Sequence, residues 1–354
     1  MKKVTQSYLL LAIVLPMLLI GICTPERSVA EVSEVRIAKQ YGLTYLPLII
    51  IEEQKLIEKH AHKAGLGDVK VTWQIFGGGS ATNDALISNA VDFSASGVAP
   101  LIILWAKSSG QYKGVAAISS SPMYLNTVNP EVKSVKDFTQ KDRIALPAVK
   151  VSIQAIALQM AAAKAFGDNN FAKLDPLTVS MKHPDAMTAL LSEGSEVTAH
   201  LTTPPYSFRE LNNPRVRKLF SSYDLVGGQH TQILIASSNT FRQKNPRTVA
   251  VVLSALEEAD LFIKKNRKAA AELYLKSTNS KEKLEDILAE LNSPEVGYST
   301  TPQKITTFSD FMYKTKTIEV KPKSWKELFF DNIYQKQGSC CQSLRLTVLP
   351  NRKR

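Results

Sequence analysis

The chain has 354 residues, 44% of them hydrophobic and 21% charged, a balance that excludes wholesale disorder and suggests roughly two domains. Of the formal net charge of +12, two units sit in the first thirty residues (Lys2, Lys3 and Arg27 against Glu26) and four after Ser339 (Arg345, Arg352, Lys353 and Arg354), which leaves six for the body. No Arg/Lys stripe interleaved with aromatics runs through that body, so nucleic acid is not expected as a partner. A solvated basic surface or a mild bias towards anionic solutes remains.

Lys2 and Lys3, the apolar stretch from Tyr8 to Ile22 and the small-x-small end Ser28-Val29-Ala30 read as a secretory signal over 1–30, cleaved after Ala30. Ile20-Gly21-Ile22-Cys23 loosely resembles a lipobox, but Ile22 is bulky for the position before the Cys. Behind the signal only Cys340 and Cys341 remain, so no disulfide framework or CxxC metal pattern is available. His60, His62, His183 and His200 lack ligand spacing, and no zinc site is expected.

Val35 to Tyr41 alternates as a strand, and Leu46 to Ala64 follows as one amphipathic helix. Val69–Phe76 is a strand, Ser80–Ala90 a helix, Val91–Ser96 a strand and Val98–Lys107 an apolar helix. This spacing predicts βαβ units with a parallel sheet. A long extended stretch, Gly114–Val128, leads to a second set: strand Arg143–Ala148, helix Ser152–Phe166, strand Leu177–Met181, helix Asp185–Leu191, strand Val197–Thr202, and a helix from Pro204 to Leu211 opened by Thr203. Another extended run, His230–Ser238, precedes a helical section: Pro246 to Lys264 with Asn245 as cap, then 267–275, 281–291, 302–313 and 324–330.

The fold class expected is therefore α/β, with two βαβ lobes joined by extended crossings near 119–126 and 226–232 and the last helices packing back on the first lobe. The expected layout is lobe I over 31–122, lobe II over 123–229, a return to lobe I over 230–339, and an atypical tail over 340–354. In such sheets ligands sit at the carboxyl ends of the strands, which places the site in the cleft between the lobes.

The corners at those strand ends supply the candidates. Ile75-Phe76-Gly77-Gly78-Gly79-Ser80 joins a strand to a helix, and Gly78 and Gly79 let a ligand approach backbone N–H groups while Ser80 offers a hydroxyl and a helix cap. Without a following Gly-Lys-Ser/Thr it is not a nucleotide-binding P-loop. Ser96 and Gly97 open the next helix, Ser96 as donor to an oxyanion or as cap of its own helix. Tyr41, Leu43 and Tyr45 follow the first strand, as pocket wall or as core. In lobe II, Lys150 is the one full positive charge at a corner, beside Ser152; Thr202, Thr203 and Tyr206 add hydroxyls. His230, after two glycines at the second crossing, either donates to an anion or locks the hinge.

Tyr41-Gly42-Leu43, Gly77-Gly78-Gly79-Ser80, Val91-Asp92-Phe93, Gly227-Gly228-Gln229-His230-Thr231, Asn245-Pro246, Ala255-Leu256-Glu257-Glu258-Ala259, Phe311-Met312, Pro322-Lys323-Ser324-Trp325 and the closing Gly338-Ser339 stand in an order and spacing that resembles the periplasmic solute-binding proteins of ABC importers, in the nitrate/sulfonate/taurine branch. The resemblance spans residues 34 to 339. It implies a type II two-lobe binding fold, a periplasmic location, a small anion such as a sulfonate, taurine or nitrate as ligand, and an ABC permease with its ATPase as partners. It also implies a monomer without cofactor, metal or catalytic residues. The tail from Cys340 to Arg354 departs from the family's usual end. Two alternatives accompany this reading. One is a binding protein for thiamine-precursor pyrimidines, or an enzyme on the same fold, although the Cys-rich iron motif of the pyrimidine synthases is missing. The other is a binding module that feeds a sensor.

Overall fold

Strand β1 (Glu34–Lys39) pairs in parallel with β2 (Lys70–Ile75) on one side and β3 (Phe93–Gly97) on the other, because each connection crosses back through helices. Those helices are α1 (Leu46–Gln54) and α2 (Leu56–Lys63) after β1, α3 (Gly79–Ile87) after β2 and α4 (Val98–Lys107) after β3. These elements come from a computed structural model that describes residues 30–336. The signal segment, Cys23, Gly338-Ser339, Cys340, Cys341 and the remaining tail lie outside the described residues, Ala30 excepted.

The extended stretch expected at 114–128 is two strands of two different sheets. Strand β4 (Tyr112–Ser120) belongs to the first sheet; β5 (Tyr124–Thr127) opens the second, so 121–123 is a crossing. The second sheet continues with β6 (Ile144–Leu146), α5 (Ile153–Phe166), β7 (Thr178–Ser180), α6 (His183–Leu191), β8 (Ala199–Thr202), α7 (Tyr206–Leu211) and β9 (Arg217–Ser221), closed by α8 (Ser222–Val226). Residues 227–232 then return the chain to β10 (Ile233–Ser238), which lies antiparallel between β3 and β4. After α9 (Asn239–Lys244), α10 (Pro246–Lys265), α11 (Arg267–Ser277) and α12 (Leu284–Asn292), strand β11 (Gly297–Tyr298) edges the first sheet and α13 (Ile305–Lys314) packs on α4. The sheet orders are β11-β4-β10-β3-β1-β2 and β7-β6-β8-β5-β9.

Four local expectations change. The single helix from Leu46 to Ala64 is broken at Lys55, whose backbone turns left-handed at φ 53°. The break lets the buried α1 run under α10 and α11 while α2 turns to pack along α10. The helix expected from Pro204 starts at Tyr206; the Pro204–Pro205 peptide is cis, and the Thr203 hydroxyl bonds the Gln232 amide instead of capping. Segment 324–330 is a short 3-10 turn, Trp325–Leu328, that delivers the Phe329 ring onto Gly114, where a Cβ would stand 2.5 Å from that ring. Strand β9 and helices α8 and α9 were not anticipated, being too short for a periodic pattern.

One apolar cluster fills the space between the first sheet and α1, α2, α10 and α11. A second runs from α4 (Val98, Leu101, Ile102) across to α5 (Ile153, Ile156) and on to Phe308 and Phe329, so it is shared by both sheets. The crossings are tied together by a buried chain. The Met123 N–H donates to Ser222 Oγ at 2.9 Å, Ser222 Oγ lies 2.9 Å from His230 Nε2, and His230 Nδ1 lies 2.9 Å from the Thr231 carbonyl. Since a carbonyl only accepts, Nδ1 carries the proton and Nε2 accepts from Ser222.

Burial, with the ring edge-on to Tyr223 and Phe308, pushes the His230 imidazole down to about 4. The stability this neutral histidine contributes is complete above pH 6.5 and is lost as pH falls towards 4, when Nε2 protonates and can no longer accept from Ser222. In urea unfolding, His230→Gln is expected to flatten the fall in stability between pH 6.5 and 4 by on the order of 3 kcal/mol.

Candidate functional site

Three helices of the two lobes begin at one place. Gly79 of α3, Gly97 at the cap of α4, and Ser152 and Ile153 at the start of α5 all line one small enclosed cavity between the sheets. The sequence dictates how near they come. A Cβ on Gly97 would sit 2.8 Å from Ile153 Cγ2, and one on Gly78 would sit 2.8 Å from the Pro147 carbonyl oxygen. Only glycine lets lobe I close this far on lobe II. The Leu43 N–H adds a direct bond between the lobes, to the Pro204 carbonyl at 3.0 Å.

The first turn of a helix leaves backbone N–H groups unpaired and carries partial positive charge. α5 has its own cap, Ser152 Oγ accepting from the Ala155 N–H at 3.1 Å, whereas α3 and α4 have no side-chain cap. Among the described residues, the cavity therefore gathers positive helix ends without an ionised side chain on its wall. Its polar lining is neutral: Gln40, Thr44, Gln154, Thr203 and Gln232, with His183, whose imidazole burial holds well below its usual range. Thr44 Oγ1 is buried without a hydrogen-bond partner among the described residues. Of the cations nearby, Lys39 pairs with Glu52, Arg209 with Glu282 and Lys182, whose Nζ stands 6.0 Å over the Tyr41 ring, with Asp185; Lys281 lies on the wall of the adjacent crevice. The enclosed volume is about 20 Å³, room for about one water molecule. Alongside, sharing Gln40 and Tyr41 as common wall, lies a crevice of about 540 Å³ whose apolar lining includes Ile49, Ile75, Met187, Tyr206 and Tyr274.

Behind the lining a buried polar chain leads away. Gln154 Nε2 is 3.2 Å from His183 Nε2, His183 Nδ1 is 2.9 Å from His200 Nε2, and His200 Nδ1 is 2.5 Å from Glu210 Oε1; Asn126 Nδ2 donates to Glu210 Oε2 at 2.9 Å. Burial pushes the Glu210 carboxyl up to about 8 and the His200 imidazole down to about 3.

The profile of the NMT1-like family matches residues 28–275. The chain belongs to the NMT1-like family. No curated protein matches it in sequence. Among solved structures, the alkanesulfonate-binding protein SsuA of Xanthomonas axonopodis pv. citri, bound to MOPS, is similar at 17% identity and a TM-score of 0.65, over 83% of this chain and 96% of that one. The periplasmic aliphatic sulphonate binding protein SsuA of Escherichia coli is 19% identical with a TM-score of 0.63, over 91% and 99%. The periplasmic nitrate-binding protein NrtA of Synechocystis PCC 6803 is 14% identical with a TM-score of 0.60, over 81% of each. At these identities the likeness establishes the fold, that of the periplasmic binding proteins.

Within this NMT1-like chain the residues singled out from sequence separate into groups. Tyr45, Gly79, Gly97, Ser152 and Thr203 line the small cavity; Tyr41 stands between it and the crevice, and Tyr206 lines the crevice alone, stacked on His183 at 5.6 Å. Gly78 caps α3 and touches Pro147 across the cleft. Ser96 is buried just behind, and Thr202 is buried 3.4 Å from His183 Nδ1. Four fall elsewhere. Ser80 is exposed in the first turn of α3 and caps nothing, because the cap position belongs to Gly78. Lys150 is exposed, with a left-handed backbone, and its charge acts on Asp175 rather than in the cavity. Leu43 is core. His230 has both ring nitrogens bonded within the hinge. Gln40, Thr44, Gln154, His183 and Gln232 were missed, although each stands at a strand or helix terminus, the signal that selected the glycines.

Since the Gly78 backbone is extended at φ −172°, alanine fits it in an open molecule and collides only when the lobes meet. Gly78→Ala is expected to leave the urea midpoint nearly unchanged and to raise the radius of gyration measured by small-angle X-ray scattering; an unaltered scattering curve would remove this contact as the stop on closure.

Proposed function

We propose that the protein is the solute-binding component of an ABC importer, exported to the periplasm by the segment 1–30 and closing its lobes on a small organic anion of the sulfonate type. It then hands that anion to a membrane permease and its ATPase. The observation that carries this reading is the convergence of three helix N-termini, two without side-chain caps, on a cavity lined by neutral polar groups between two lobes. Such a site pays little desolvation of its own and is electrostatically incomplete until an anion enters. Binding without reaction agrees with the sulfonate- and nitrate-binding proteins whose fold the chain shares.

The neighbouring crevice favours a ligand with an organic part over bare nitrate. An oxyanion head at the helix ends can extend its carbon portion past Tyr41 towards Ile49, Met187 and Tyr274. The backbone groups of Gly79 and Gly97, with the Thr44 hydroxyl and the Gln154 amide, are the ligand-facing groups of this proposal; Ser152 and Thr203 line the cavity with their hydroxyl protons already given to the Ala148 carbonyl and to Gln232. A space that admits about one water cannot take such a ligand, so binding involves an open state that the ligand draws closed.

Isothermal titration against methanesulfonate, pentanesulfonate, taurine, nitrate and sulfate tests the reading, with heats expected for the sulfonates and tighter binding of the longer chain. Absence of heat with every anion, alongside binding of a hydroxymethylpyrimidine, would replace the anion reading. Thr44→Val is expected to weaken sulfonate binding by about 1–2 kcal/mol without lowering the unfolding midpoint, because the unliganded protein leaves that hydroxyl buried and unpaired.

A further inference from the structure

We propose that Glu210, His200 and His183 are positioning residues that set which end of the Gln154 amide faces the cleft, so that binding of an anion is accompanied by uptake of one proton into this chain. The inference rests on the anion reading above and adds to it a proton balance.

The geometry admits two complete hydrogen-bonding arrangements, because every link joins groups that can exchange roles, and the Thr202 hydroxyl, 3.4 Å from His183 Nδ1, can donate or accept to match either. In the first, the Gln154 amide N–H donates to His183 Nε2. His183 Nδ1–H then donates to His200 Nε2, and His200 Nδ1–H donates to an ionised Glu210. Each imidazole is neutral, and the Gln154 carbonyl oxygen is the end left for the cavity. In the second, Glu210 holds an added proton and donates it to His200 Nδ1. His200 Nε2–H donates to His183 Nδ1, and His183 Nε2–H donates to the Gln154 carbonyl oxygen, so the amide turns its NH₂ to the cavity. The two differ by one proton, carried on the Glu210 carboxyl, and by a tautomer change at each histidine. The first presents an acceptor to the ligand and repels an anion; the second presents a donor. An anion that binds the second better shifts the chain towards it and draws the proton from solvent.

The surroundings leave this choice to the chain itself. Glu210 and His200 are completely buried and His183 nearly so. From β8 Glu210 meets His200, and from β5 only the uncharged Asn126 amide. Along α7 itself, Arg209 turns outward to Glu282 at 3.1 Å. On α6, His183 meets Gln154 from α5, His200 and the Thr202 hydroxyl from β8 and the face of Tyr206, while Asp185 pairs outside with Lys182 at 3.4 Å. Among the described residues no fixed charge thus contacts the pair, and desolvation, which raises the Glu210 carboxyl to about 8, brings the exchange near neutral pH.

The test is calorimetric titration of the full chain with methanesulfonate from pH 6 to 10, each pH measured in two buffers of different ionisation enthalpy so that protons are counted. The wild type is expected to take up a fraction of a proton approaching one above pH 8, with affinity falling by up to about tenfold per pH unit there. Glu210→Gln, whose amide keeps a hydrogen bond to His200 but can neither gain nor lose a proton in this range, is expected to show no uptake and no pH dependence. Gln154→Met is expected to lose the uptake even though Glu210 still titrates. Binding without proton uptake in the wild type, or uptake that survives in Glu210→Gln, overturns the proposal and leaves the binding function standing. Absence of methanesulfonate binding at every pH, when pentanesulfonate and taurine also fail, overturns the anion reading on which it rests. If Glu210→Gln does not fold, the wild-type proton count and Gln154→Met decide.

Discussion

The cleft depends on the contact between Gly97 and Ile153, where the N-terminal ends of α4 and α5 meet with nothing larger than a hydrogen between them. Two positive helix ends brought together repel each other, and α3 adds a third. What holds them is apolar: Val98, Leu101 and Ile102 on α4 join Ile153 and Ile156 on α5 in one cluster that both sheets share. Hydrophobic burial thus maintains an arrangement that electrostatics disfavours in the absence of a negative partner. An anion in the cavity relieves that opposition, so the same geometry serves both closure and recognition.

The neutral lining follows from the same constraint. A lysine or arginine at the helix ends would add charge to a place already positive, and at the margin of the cleft Lys39, Arg209 and Lys182 are instead paired with Glu52, Glu282 and Asp185. Selectivity then passes to amides and hydroxyls, whose donor or acceptor sense is settled by whatever stands behind them. Thr203 and Gln232 settle each other; Gln154 is backed by two histidines and a carboxyl. The hinge has its own closed hydrogen-bond chain through His230, which spends both ring nitrogens there. Two of the histidine environments are therefore structural in different senses, one joining the crossings and the other standing behind the site.

Much of the fold was legible because long apolar runs punctuated by Gly and Pro report their own period. The helix stop at Gly167, the Pro246 start of α10 and the alternation of β1 with helical stretches are local signals, and the two lobes follow from their order. Short elements such as β9 and α8 carry too few residues for a period. The break at Lys55 is decided by how α1 and α2 must separately meet α10. The close approach of the lobes at the candidate site was legible at its glycines, since an unsubstituted corner at a strand end announces such an approach. Ser80 and Lys150, where side-chain chemistry suggests a role, stand exposed outside the cavity because the backbone direction turns them outward.

By itself the sequence determined the βαβ rhythm, the glycine corners and the place of the cleft between two lobes, because each of these is set by residues within a few positions of one another. The tertiary structure alone decided which polar groups share the cavity. Gln40 and Thr44, Gln154, and Gln232 are brought together from three separate segments, and the line from Gln154 to Glu210 joins α5, α6, β8 and α7. Such juxtapositions depend on how two sheets pack across a hinge, and no local pattern in the chain encodes them.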